Sequence, residues 1–126
     1  MGKLVSVYET IGQEKLYEMI DVFYQHVQKD DRINFLFPGD WEDTAYKQKL
    51  FQTQFLGGPN LYNETFGHPM MRARHMPFRI TEESRDAWLD NMRKAMNDVG
   101  LNSDLSEHLL ARYTLTANHM VNTFEQ

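Results

Sequence analysis

The sequence predicts an all-α fold, and three observations carry that expectation. Apolar residues recur at spacings of three and four along the longer stretches, as one face of a helix requires. Strong stops close those stretches, Gly57-Gly58-Pro59 and Gly100 among them. No segment alternates apolar and polar residues over enough positions to read as a strand. At 126 residues the chain suits a single domain, 1–126, large enough to bury a core and enclose one small ligand.

The elements follow in order. Residues 5–12 read as a short helix ending near Gly12, and Thr10-Ile11-Gly12-Gln13 has the form of a capping box for the next one. That helix runs to about Lys29, with Leu16, Ile20, Phe23 and Val27 on one face. Tyr24 sits at the edge of the same arc, so its phenol is directed inward and its hydroxyl needs a partner. Residues 30–40 form a connector in which Phe37 precedes Pro38, which favours an extended or turn conformation there.

A third helix is expected from about Glu42 to Leu56. Trp41, Ala45, Phe51 and Phe55 share one arc of it with Thr44, Gln48 and Gln52. Polar groups on an aromatic face cost about 1–3 kcal/mol each if left unpaired. They either find partners inside the protein or line a pocket with a polar guest. Residues 60–67 read as a loop.

Pro69 starts and Pro77 stops the next piece, because proline suits a first helical turn and blocks a later one. Between them is room for about two turns at ~3.6 residues each, and His75 sits at the end. Thr81 caps a helix with Glu82 and Glu83 in its first turn, where the dipole favours them. Its buried stripe is Trp88, Met92, Ala95, Met96 and Val99. Ser103 or Asp104 caps the last helix, whose inward face carries Leu105, Leu109, Leu110, Tyr113, Ala117, Met120, Val121 and Phe124. The long helices form two pairs, with the short His75 helix beside them.

Composition excludes several classes. A net charge of -5 argues against nucleic acid as a partner, since phosphate binding needs a basic patch. The absence of cysteine removes disulfides, thiolate metal sites and a cysteine nucleophile, and fits a cytoplasmic chain. No stretch approaches a membrane span or a signal peptide. Met1-Gly2 with Ser6 matches a myristoylation start loosely, with nothing basic to support it. Met70, Met71, Met92, Met96 and Met120 are expected in the core. His68 reads as a cap or loop contact, and His26, His108 and His119 as surface residues. Glu82-Glu83 and Asp30-Asp31 read as solvated helix ends.

His75 alone reads as a structural histidine, but its surroundings reverse that. Phe23-Tyr24, Phe37-Pro38, Thr44 with Gln48, Phe55-Leu56-Gly57-Gly58-Pro59, Gly67-His68-Pro69, Arg72-Ala73-Arg74-His75-Met76-Pro77-Phe78 and Asp86-Ala87-Trp88-Leu89 occur in that order. Together they resemble a truncated haemoglobin of group II, over nearly the whole chain from about Tyr8 to Val121. The resemblance implies a truncated globin fold, a two-over-two helical sandwich around haem b (iron protoporphyrin IX).

By the same resemblance His75 matches the proximal iron ligand. Tyr24, Thr44, Gln48 and Trp88 match the residues facing the bound ligand, and Phe37 packs on the haem with Phe78 beside it. Lys47 and Arg74 are the cations nearest for the propionates. The expected ligand is dioxygen or another diatomic gas. Hydrogen-bond donors aimed at a partly anionic ligand should slow its release. Oxygen binding, storage or transport is the leading reading; peroxidase-like or nitric oxide detoxifying chemistry at the same site is the alternative. A cofactor-free helical interaction module is a third. A reductase partner and the choice between monomer and homodimer stay open.

Overall fold

A computed structural model describes residues 5–76 and 78–123, the side chains of Met71 and Arg72 excepted. Pro77 as a helix stop, Phe124 on the last helix face, Met71 in the core and the Met1-Gly2 start all lie outside the described residues. Every regular element within them is helical: α1 (Val7–Ile11), α2 (Gln13–Gln28), a 3-10 turn (Asn34–Leu36), α3 (Trp41–Phe55), α4 (Leu61–Phe66), α5 (Met71–His75), α6 (Glu82–Asp98) and α7 (Ser103–Met120).

Helix α2 packs against α3, α6 packs against α7, and the two pairs meet most extensively through α2 and α6. The predicted stripes account for this. Leu16, Ile20, Phe23 and Val27 of α2 are fully buried, and they meet Met92, Ala95 and Met96 of α6 in one core with Leu109 and Tyr113 of α7. Burial of this kind is worth roughly 1.5–3 kcal/mol per large apolar side chain, which is why packing decides where these helices lie.

Several local expectations are corrected. Helix α2 has no capping box: Thr10 lies in α1 and its hydroxyl donates to the Ser6 carbonyl. Gly12 occupies the N-cap with φ 85°, so a glycine bend takes the place of a side-chain cap. Residues 61–66 are the helix α4, not loop. Gln54 fixes its first turn by accepting from the Asn63 amide and donating to Asn63 Oδ1, both at 3.0 Å, and Tyr62 is buried beneath. Helix α5 starts at Met71, two residues after Pro69, and Met70 before it has φ 47° and is exposed rather than in the core. Asn102, not Ser103 or Asp104, caps α7, accepting from the Asp104 and Leu105 amides.

Asp30 is not a solvated end. It chelates Arg32 at 2.8 and 3.0 Å and accepts from Asn91 of α6, while Arg32 also reaches Asp90. This network ties the connector after α2 to α6. At the far end of α3, a Cβ at Gly58 would lie 2.6 Å from the Tyr8 ring, so the chain turns there only because glycine lets α1 approach.

Candidate functional site

A cavity of about 420 Å³ opens between the helix pairs and the α5 segment. That is within the roughly 300–1,000 Å³ of small-molecule sites. All nine residues singled out in the sequence line it: Tyr24 from α2, Phe37 from the connector, Thr44, Lys47 and Gln48 from α3, Arg74 and His75 from α5, Phe78 after it, and Trp88 from α6. Phe37 has φ -114° and ψ 84°, outside the helical region as expected for a residue before proline.

The aromatic wall is continuous. Tyr24 meets Phe23 edge-on with centroids 4.9 Å apart, and Phe23 meets Trp88 at 5.0 Å. Trp88 meets Tyr113 at 5.3 Å, and Tyr113 stacks on Phe55 at 6.1 Å. Phe37 approaches Tyr24 at 5.8 Å. Edge and tilted contacts of this kind hold rings in fixed poses, so the polar tips of Tyr24 and Trp88 are carried on rigid supports.

The polar residues of α3 divide by fate. Gln52 is buried and accepts from the Tyr113 hydroxyl at 2.8 Å, so it found a partner in the protein. Thr44 donates to the Asp40 carbonyl at 3.1 Å within its own helix turn. The Gln48 side chain, four residues from each on the same face, makes no hydrogen bond with a described residue. Neither does the Tyr24 hydroxyl nor the Trp88 indole N–H. Among the described residues no sealed side-chain nitrogen or oxygen lacks a partner, so these groups open onto the cavity. Burial pushes the Tyr24 phenol well above its ordinary range, which keeps it a protonated donor.

Cations gather at the same cavity. Lys47 is paired with Asp43 at 2.9 Å. Arg74 makes no ion pair with a described residue and lies 5.9 Å from the Tyr62 ring. Arg85 also lines the cavity, held by Asp86 and Asn118. Sequence reasoning missed Arg85, although its position three residues before Trp88 puts it on the same helix face. It also missed Tyr62, whose segment read as loop. His68, His108 and His119 are exposed, while His26 pairs with Asp98 at 2.6 Å.

Comparison with known proteins gives a consistent picture. The family model for bacterial-like globins matches residues 6–122. A group 2 truncated haemoglobin of Bacillus subtilis is 52% identical over 118 residues, covering 94% of this chain and 89% of that protein. The crystal structure of the group II truncated haemoglobin of Bacillus anthracis superposes with a TM-score of 0.95 at 45% identity, covering 99% of this chain and 97% of the other. An X-ray structure described as a truncated oxygen-avid haemoglobin from Bacillus subtilis gives a TM-score of 0.90 at 52% identity, covering 94% and 100%.

Proposed function

We propose that this chain, which belongs to the bacterial-like globin family and within it to the group II truncated haemoglobins, binds dioxygen reversibly at a haem held by His75. Globin membership implies a haem, and the residues present fit one. The cavity is walled by Phe37, Phe51, Phe55 and Met120, which suits a flat apolar ring, and Lys47, Arg74 and Arg85 could meet its carboxylates. Among the described residues no group of three or more His, Asp or Glu could hold a bare metal ion. A porphyrin would supply the further donors to iron that His75 alone does not.

A bound ferrous haem would supply the chemistry of reversible diatomic-gas binding, which places partial negative charge on the gas. The protein's part is to hold and to donate. His75 would hold the iron through its imidazole. Tyr24 would donate its O–H to the gas, with the Trp88 N–H and the Gln48 amide as further donors. In a site closed by aromatic rings such bonds are stronger than in water. Slow oxygen release follows, and the oxygen avidity named for the Bacillus subtilis relative supports that expectation. The observation that carries this reading is the unused Tyr24 hydroxyl, on a residue only 5% exposed, opening onto the cavity that His75 also lines.

The test is the visible absorption spectrum of the purified protein, ferric, then ferrous, then exposed to oxygen, beside His75→Ala. A porphyrin band that shifts on reduction and again with oxygen, and is lost or altered in the variant, supports the reading. A wild type that stays colourless on reconstitution with haem overturns it. Peroxide turnover with a reducing substrate, well above a free-haem control, would favour the enzymatic alternative.

A further inference from the structure

The segment that carries His75 is short, and most of its described side chains are exposed. Helix α5 is five residues long and follows a residue at φ 47°. Ala73, Arg74, Met76, Phe78 and Arg79 are all exposed, and burial resumes only at Ile80. A backbone with so few buried neighbours sits at the low end of local stability. Yet a ligand residue is useful only if its main chain is fixed, since the ring pose is set from the backbone outward.

One side chain beyond the end of α7 reaches the main chain of this segment. Asn122 Nδ2 donates to the Phe78 carbonyl at 2.8 Å and, through a longer bond of 3.4 Å, to the His75 carbonyl. Its Oδ1 accepts from the Ile80 amide at 2.9 Å and from the Thr123 hydroxyl at 2.9 Å. An amide has two donor hydrogens and two acceptor lone pairs, so every valence of this side chain is used. The Asn122 and Thr123 amides both donate in turn to the Ile80 carbonyl, at 3.0 and 3.1 Å. The chain after α7 is thereby clasped to His75, Phe78 and Ile80.

We propose that Asn122 is a positioning residue for the proximal histidine, fixing the His75 main chain and through it the iron–imidazole bond. This rests on the reading of His75 as the iron ligand. Only an amide serves here: a carboxylate keeps the acceptor for Ile80 but turns repulsive toward the two carbonyls. Asn122→Asp therefore removes the two donor bonds of Asn122 to the His75 and Phe78 carbonyls with almost no change in volume. Thr123→Val removes one hydroxyl from the same clasp and leaves the carbonyl bonds in place.

The experiment reads the iron–histidine stretching band of the ferrous, ligand-free protein by resonance Raman, together with the rate of haem transfer to an excess of apomyoglobin. Asn122→Asp and Asn122→Ala are expected to shift or broaden the band and to release haem roughly tenfold faster, the loss of about 1.4 kcal/mol. Thr123→Val is expected to match the wild type in both. A wild-type band that is unchanged in Asn122→Asp, even where its melting temperature falls, overturns the proposal and leaves a purely structural clasp. A haem-loaded wild type with no such band, unaltered by His75→Ala, overturns instead the His75 reading beneath it.

Discussion

The Tyr113 hydroxyl donates to Gln52 Oε1 at 2.8 Å, a pair 61 residues apart in sequence. Tyr24 is similarly buried, and its hydroxyl donates to no described residue. Both tyrosines line the same cavity, but only the Tyr113 hydroxyl is spent on a described protein group.

That contrast separates two variants that differ from the wild type by one oxygen each. Tyr113→Phe strands the Gln52 oxygen and should cost about 1–3 kcal/mol of stability. Tyr24→Phe strands no protein group and should leave stability unchanged or slightly raised. Urea denaturation of the two apoproteins checks this. Equal losses would mean that the Tyr24 hydroxyl has a structural use.

The same burial makes a pH prediction. A free phenol loses its proton near pH 10, but the buried Tyr24 is pushed well above that by desolvation. Because deprotonation is postponed, the donor persists through pH 10. Oxygen release should then stay slow and flat from pH 7 to pH 10. Stopped-flow release across that range checks it, and an acceleration centred near pH 10 would show an ordinary, solvated phenol.

Asp30 sets a limit at the acid end. Its bonds to Arg32, foremost, and to Asn91 hold its carboxyl below the usual carboxylate range. A depressed folded pKa means the stabilisation is fully present above the unfolded value of about 3.9 and is lost as pH falls from there toward the folded value. Asp30→Asn should cost about 1–2 kcal/mol at pH 7, an amount kept modest because Arg32 is 39% exposed and screened by water. It should also flatten the acid limb of urea midpoint against pH below about pH 4. A variant with the wild-type limb would show that the network adds no acid-sensitive stability.

The fold was legible because its helices are amphipathic over many turns. Leu16, Ile20, Phe23 and Val27 define a face without help from the rest of the chain, and the turn at Gly57-Gly58-Pro59 announces itself. The motif around His75 and the tryptophan of α6 pointed to residues that do line one cavity. What was hidden depended on distant partners. Helix α4 is fixed by Gln54 and by the burial of Tyr62, not by its own propensity. The carboxylate of Asp30 looked solvated until α6 brought Asn91 to it. Nothing local distinguishes Gln52 from Gln48: both lie on one helix face, and only the arrival of Tyr113 satisfies one and leaves the other open. Asn122 was silent for the same reason, since apart from the neighbouring Thr123 its partners lie more than forty residues away, 42 to Ile80 and 44 to Phe78.

The most direct measurement of the central claim is the oxygen dissociation rate of the haem-loaded protein, beside Tyr24→Phe and Trp88→Phe. Hydrogen bonds to a charged group are worth about 1.5–3 kcal/mol, so Tyr24→Phe should release oxygen on the order of ten- to a hundredfold faster. Trp88→Phe should move in the same direction. Release unchanged in both single variants would contradict the account, because the donors that the fold leaves unpaired would then not be holding the ligand.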